Sequence, residues 1–183
     1  MKNKVIIFPT DTVYGIGASI YDIDGQNRIY DIKHRPHNKP LAVLCANIEQ
    51  IEEIAYMNDD AKLLAKHFLP GALTIILKAK PKVKEVTGLD TIGVRIPKYN
   101  VAIKILLEYG PMSTTSVNES GTPSINDYYE IVSKYSKLVD EIYKPSDEAT
   151  SSLPSTVVDI TAHDVKILRE GSISLEEIKK IIK

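Results

Sequence analysis

The strongest constraint on the fold is a recurrence of short β-rich apolar runs, each cut off by proline, glycine or a hydroxyl-rich segment. Residues 5–8 stop at Pro9 and residues 91–96 at Pro97, and residues 41–44, 73–77, 112–116, 156–160 and 165–168 are of similar length. Residues 139–143 read as one more extended piece. Helical patterns lie between them: residues 26–33, two helices opened by Asn47 and Asn58, an apolar helix opened by Asn100 and closed by Gly110, and residues 128–134. Ser174 and Glu177 form a capping box for a last helix, whose Leu175, Ile178, Ile181 and Ile182 mark a buried stripe and whose lysines 179, 180 and 183 mark the outer face. The segment 144–154 is polar and reads as a mobile loop. This alternation, without internal repeat or long linker, predicts an α+β (mixed α/β) fold: one twisted sheet flanked by helices, spanning residues 1–183 as a single domain.

Composition enters where it excludes functions. A chain of 183 residues that is 43% hydrophobic is long enough for one sizeable core. Its formal net charge of -1 rules out the global basic field that drives nonspecific nucleic-acid binding, so any such contact must be local. Cys45 is the single cysteine, which excludes an internal disulfide and a multi-cysteine metal site. His34 and His37 are three apart while His67 and His163 are remote, so no resident metal is expected. The few apolar residues before Pro9 are too short for a signal core or a membrane span, and a cytoplasmic protein is expected. No Gly-x-Ser-x-Gly elbow or other nucleophile motif is present.

Chemistry concentrates at the ends of the extended runs. Lys33, His34, Arg35, His37 and Lys39 place five possible cations within seven positions and no carboxylate among them, directly after a helix that Pro36 ends. Lys33 and Arg35 then straddle a helix end, where a turn can bring both onto one anion; cations at a helix C-terminus also answer the dipole alone. Thr10, Thr12, Gly15 and Gly17 follow the first run, in a pattern that is neither a dinucleotide fingerprint nor a Walker loop and that also suits an ordinary turn. Ser116 and Asn118 follow another run and share a face if the strand continues, which suits phosphate oxygens or the waters of a magnesium ion, and equally a polar turn. Arg95 and Arg169 end two apolar runs, where an arginine is costly to bury without an anion. Ser155 and Thr156 precede a run, a location that also suits turn capping.

Taken together and in order, Pro-Thr-Asp-Thr-Val-Tyr-Gly-Ile-Gly, Lys-x-Arg-Pro-x-x-Lys-Pro-Leu, Gly-Val-Arg-Ile-Pro, Thr-Ser-x-Asn, Pro-Ser-Thr-Val-Val-Asp and Ile-Leu-Arg-x-Gly resemble the YrdC-like threonylcarbamoyl-AMP synthase family over essentially the whole chain. The resemblance implies a twisted mixed sheet with an open cationic cavity. It implies a reaction joining L-threonine, bicarbonate and ATP, with magnesium carried on the ATP, into threonylcarbamoyl-adenylate and pyrophosphate, for downstream transfer to tRNA. Lys33, Arg35, Ser116 and Asn118 would hold the phosphates and act in catalysis. Thr91, Ser124 and Arg169 would lie on the nucleotide side, and Thr10, Arg95 and Ser155 would contact threonine. Three departures from the family pattern stand out: relatives often have a helix before the first strand where only residues 1–4 precede it here, Leu44 occupies a position where histidine is common, and the loop after residues 139–143 lacks the usual glycines. The competing readings are a noncatalytic RNA-binding module and a paralogue acting on another carbamoylated acceptor.

Overall fold

The computed structural model describes residues 2–151, 153–162 and 165–182. Lys183, expected on the outer face of the last helix, and His163 lie outside them. The strands are β1 (Ile6–Phe8), β2 (Gly15–Ser19), β3 (Ala42–Leu44), β4 (Ala55–Tyr56), β5 (Leu73–Ala79), β6 (Thr91–Arg95), β7 (Met112–Ser116), β8 (Glu141–Ile142), β9 (Thr156–Asp159) and β10 (Lys166–Arg169). The helices are α1 (Ile23–Lys33), α2 (Ile48–Ile54), α3 (Asp59–Phe68), α4 (Pro81–Thr87), α5 (Asn100–Tyr109), α6 (Tyr128–Tyr135) and α7 (Leu175–Ile181). The strands form one ten-stranded sheet in the order β10-β9-β5-β6-β3-β7-β2-β1-β8, with β4 added beside β5. The β1–β8, β3–β6 and β5–β9 pairs are parallel and the rest antiparallel, so the sheet is mixed as the alternation predicts.

The register explains how one sheet buries a core and keeps a hollow. Cross-strand partners point to the same face. Ala18, Ser113, Val43, Val94, Ile75 and Val158 are successive partners, and this row faces α1, α2, α3, α6 and α7, whose apolar stripes complete two core clusters. On the other face Gly17, Thr114 and Ala42 are successive partners, and Gly93 lies beside Ile76. Apart from Ile76, that row is made of small residues. Only α5 packs on this face, where Ala102, Ile105 and Leu106 meet Ile6, Phe8, Leu44 and Met112. The remainder of the face is left open.

Local signals account for most elements. The side chains of Asn47 and Asn58 accept from the backbone N–H of Gln50 and Ala61, and the Ser174–Glu177 box is formed. Ile178 and Ile182 of the last helix are buried, and Lys179 and Lys180 are exposed. The helix carrying Lys33 ends on His34, which takes a left-handed φ of 48° while Arg35 N–H returns to the Tyr30 carbonyl at 2.9 Å.

Two readings are corrected. Asn100 does not cap α5: it is the first helical residue, the N-cap Tyr99 supplies no side-chain bond, and the Asn100 N–H donates instead to the Glu148 carboxylate at 3.0 and 3.2 Å. A cap borrowed from a distant loop leaves no local trace. Gly15 and Gly17 lie within a strand, not a turn. A Cβ at Gly15 would sit 2.7 Å from Thr114 Cγ2, and one at Gly17 2.9 Å from Thr114 Oγ1, so glycine here lets β2 lie flat beside a threonine of β7.

Gly171 makes the next tight approach. A Cβ there would collide with the Pro154 carbonyl oxygen and fall 2.8 Å from Thr156 N, both of them backbone. Gly171→Ala should therefore lower stability by about 1–3 kcal/mol, the usual cost of overpacking. A denaturant midpoint equal to that of the unchanged chain would contradict this account of the contact between the exit of β10 and the entry to β9.

Candidate active site

The open part of the sheet face floors a cavity of about 500 Å³. Among its lining residues are Arg35, Arg95 and Arg169, many hydroxyls and no carboxylate. Such a set favours anions, because the lining carries three guanidinium groups and no carboxylate of its own. Thr10, Arg35, Thr91, Arg95, Ser116, Asn118, Ser124, Ser155 and Arg169 all line it, so segments scattered from the first loop to the last strand converge here.

The cavity has two poles. Ser116 lies opposite Gly15, and Thr91 opposite Lys78, at one end of the strands. Leu44 pairs with Arg95, and Val157 with both Thr74 and Arg169, at the other. The two rows are four residues apart along β6, about 13 Å at the rise of a strand.

At the first pole, Lys33 is not in the lining. Its side chain is buried, and Nζ donates to the Ser116 carbonyl at 2.5 Å, the Asn118 carbonyl at 2.6 Å and Asn118 Oδ1 at 2.8 Å. Those three bonds use its three protons. Ser116 Oγ also donates to Asn118 Oδ1, at 2.7 Å, and Asn118 Nδ2 donates to the Thr122 carbonyl at 2.6 Å. Lys33 thus holds the turn that presents Ser116 and Asn118 from behind. Arg35 is the cation in the lining itself; Nε and Nη2 donate to the carbonyls of Lys39 and Pro40, at 3.0 and 3.1 Å, and Nη1 makes no bond among the described residues.

At the second pole, Arg95 is almost fully buried and its charge is met by Asp11. Nη2 donates to Asp11 Oδ1 at 2.6 Å, Nη1 to Thr12 Oγ1 at 2.8 Å and Nε to the Gly71 carbonyl at 2.8 Å. One N–H on each terminal nitrogen is left for a ligand. The anion a buried arginine needs comes from within the chain, yet half of the guanidinium's outer fork stays open. The Thr10 hydroxyl is saturated: it donates to the Val13 carbonyl at 2.7 Å, accepts from Thr12 N–H at 3.2 Å and stands 3.1 Å from Thr12 Oγ1. Thr10 can meet a ligand through its methyl or backbone, while its hydroxyl orders the loop. Arg169 donates to the Ser155 carbonyl through Nε at 3.1 Å and Nη2 at 2.8 Å, and to Ser155 Oγ at 3.2 Å. It therefore stands with Ser155, on the side of the cavity where threonine contacts were expected.

The segment that the sequence marks as a mobile loop borders this pole and is tied at Ser146, Glu148 and Ser151. Tyr99 Oη donates to the Ser146 carbonyl at 3.1 Å, Ser146 Oγ donates to Glu148 at 2.7 Å, and Ser151 N–H donates to the Asp11 carbonyl at 2.8 Å. Sequence reasoning missed Thr74 at this pole; it singled out the stretch holding Asp11 and Thr12 but not their pairing with Arg95. Thr74 is the lone hydroxyl in the aliphatic run Leu-Thr-Ile-Ile-Leu, a signal that could have marked it.

An anion-binding α+β domain, with its ligand cavity on the uncovered face of one mixed sheet, is the class these features define. The family model for Sua5, YciO and YrdC proteins, described as telomere recombination, matches residues 1–171, and the chain belongs to that family. A threonylcarbamoyl-AMP synthase of Pyrococcus abyssi is 38% identical over 99% of this chain and 54% of its own length. A putative threonylcarbamoyl-AMP synthase of Methanocaldococcus jannaschii is 36% identical over 98% of this chain and 86% of its own. Among solved structures, P. abyssi Sua5 complexed with L-threonine superposes with a TM-score of 0.91 at 36% identity, covering 98% of this chain and 54% of that one. The chain thus spans about half the length of the P. abyssi relative. Escherichia coli YciO superposes at 0.85 with 29% identity, over 96% of this chain and 86% of that one.

Burial, and then the nearby Arg35, pull the pKa of Lys33 down to about 8. Between that value and the ordinary lysine value the folded chain binds fewer protons than the unfolded chain, so stability should climb with pH across this window. Lys33→Met should abolish that part of the slope in denaturant midpoints measured from pH 7.5 to 10. It should also cost about 1–3 kcal/mol at pH 7, since three acceptors lose their donor. An unchanged slope in the variant would show that Lys33 is not the titrating group.

Proposed function

We propose that this chain is an L-threonylcarbamoyladenylate synthase, a nucleotidyltransferase that converts L-threonine, bicarbonate and ATP into threonylcarbamoyl-AMP and pyrophosphate. The observation that carries the reading is the two-poled cavity, three arginines without a carboxylate, on which the six sequence motifs converge. The names of the P. abyssi and M. jannaschii relatives and the L-threonine complex of P. abyssi Sua5 support it.

The threonine amine adds to bicarbonate, water leaves, and a carbamate forms. A carbamate oxygen then attacks the α-phosphorus and pyrophosphate departs. No protein nucleophile is needed; the work is to set two anions against each other and stabilise the charge that builds on the leaving phosphates. Arg35, with Ser116 and Asn118 held by Lys33, binds the phosphates at the first pole, and Thr91 and Ser124 border the nucleotide. Arg95 takes the threonine carboxylate at the second pole, with Ser155, Arg169 and the Thr10 loop around it. Magnesium would be carried in on ATP, where it would offset phosphate charge, and the lining offers it hydroxyl oxygens in place of carboxylates. The product passes to a tRNA threonylcarbamoyl-transferase system in the cytoplasm, and residues 1–183 act as one domain. No described helix is long and apolar enough to cross a membrane.

Pyrophosphate release should require threonine and bicarbonate together. Release from ATP and magnesium alone, unmoved by either addition, would reject the reading. Arg35→Ala should lower turnover at least about tenfold with an unchanged denaturant midpoint, because it removes a transition-state charge and only exposed bonds. Serine, which lacks only the methyl group, should be used about ten- to two-hundredfold less well than threonine in specificity constant. Equal use of the two would remove the case for a pocket that encloses the methyl.

A further inference from the structure

The hydroxyls at the second pole leave one proton unaccounted for. Thr74 Oγ1 and Ser155 Oγ are 2.8 Å apart, both residues are about 5% exposed, and both line the cavity. Two hydroxyls carry two protons, and the bond between them uses one. Ser155 Oγ otherwise accepts from Arg169 Nη2 at 3.2 Å, and Thr74 Oγ1 has no other partner among the described residues. Whichever oxygen donates, the other's proton has no acceptor in the chain. A buried donor in that position is costly unless a ligand answers it.

Its surroundings select the ligand. Val157 is the register partner of both Thr74 and Arg169, so these two point to the same face with β9 between them. The pairing of Ile75 with Val94, continued by one residue, sets Thr74 beside Arg95. Both guanidinium groups retain unused N–H donors. Asp11 offsets the Arg95 charge and no carboxylate bonds Arg169 among the described residues, so unused N–H donors and a net positive charge favour an acceptor-only anionic oxygen over an ammonium. Gly93 completes the niche: a Cβ there would press on Thr74 Cγ2 at 3.0 Å, so the methyl is turned toward Gly93 and the hydroxyl toward Ser155.

We propose that Thr74 is a binding residue of this pole, and that with Ser155 it forms a hydroxyl couple donating its one unmatched proton to a carboxylate-type oxygen held between Arg95 and Arg169. The inference rests on the synthase reading. Threonine carboxylate and bicarbonate share the required chemistry, and the test separates them.

The couple predicts a non-additive signature. Thr74→Val or Ser155→Ala alone leaves one hydroxyl, whose proton is still free to reach the ligand. The double variant leaves none. Each single variant should raise KM for threonine or for bicarbonate less than about tenfold, and the double variant by more than the product of the singles, on the order of a hundredfold, as expected for a lost bond to a charged group. Thr74→Ser combined with Ser155→Ala keeps one hydroxyl and should recover the affinity lost in the double variant, and KM for ATP should stay constant throughout. A rise in the threonine KM alone assigns the oxygen to the amino acid, and a rise in the bicarbonate KM alone assigns it to bicarbonate. Additive effects, or a change confined to ATP, would overturn the proposal. Calorimetric titration with L-threonine and with bicarbonate, without ATP, keeps the two readings apart. If the unchanged chain binds either anion and the double variant does not, the couple stands even where pyrophosphate release fails. If the unchanged chain binds neither, or the double variant binds as well, the couple falls. Circular dichroism melts of every variant check that the fold persists.

Discussion

The structure depends on a strict division of labour between the two faces of one sheet. Because side chains alternate along a strand, the residues that bury Val43, Val94, Ile75 and Val158 under the helices must turn their neighbours Ala42, Gly93, Thr74 and Val157 to the opposite side. A second layer of helices would normally cover that side as well. Here a single helix, α5, covers one end of it, and small or hydroxylic residues keep the rest shallow. The cavity is thus a property of the alternation itself, and its floor cannot shift without moving the core behind it.

Rigidity of that kind matters because the groups on the floor are expensive to bury. Lys33 and Arg95 are the two most enclosed cations at the poles, and each is supported differently. Lys33 is met by carbonyl and amide oxygens, which leave its charge unneutralised and draw α1 onto the turn after β7. Arg95 is met by a full carboxylate that is 13% exposed, as well as by a carbonyl and a hydroxyl. Breaking such a buried pair from one side commonly costs several kcal/mol, since it strands the other charge. The first loop, β6 and the loop before β5 are therefore fastened at one guanidinium, and the same fastening fixes the direction of its remaining donors.

Much of this was legible in the residues. The short apolar runs, the asparagine caps, the capping box and the glycine stop after α5 are local devices, and a local device leaves its mark within a few residues. The strand β2 was not legible, because Gly-Ile-Gly reads as a turn until Thr114 is placed beside it. The cap on α5 was hidden for a similar reason: Glu148 lies far along the chain from Asn100. At the site, the motifs located nine lining residues, but Lys33, read as an open cation at a helix end, turns inward and acts from behind. Asp11 and Thr74 carry chemistry that appears only once β5, β6 and the first loop are neighbours. Residue type identified candidates; proton and charge partners required coordinates.

The irregular end of the sheet has a consequence beyond ligand binding. In β10 the register advances from the Ile167–Val158 pair directly to Arg169–Val157, passing over Leu168, which is left 58% exposed. The skipped residue turns Arg169 onto the cavity face and bends the outermost strand. An outermost strand offers unpaired backbone groups to any other chain, and a long straight one seeds edge-to-edge accretion. This one is four residues long, begins with Lys166 and is interrupted at its centre. The opposite margin, β8, is only two residues long. Neither margin templates another strand easily, and the bulge that shortens one of them is the same one that aims an arginine at the ligand cavity.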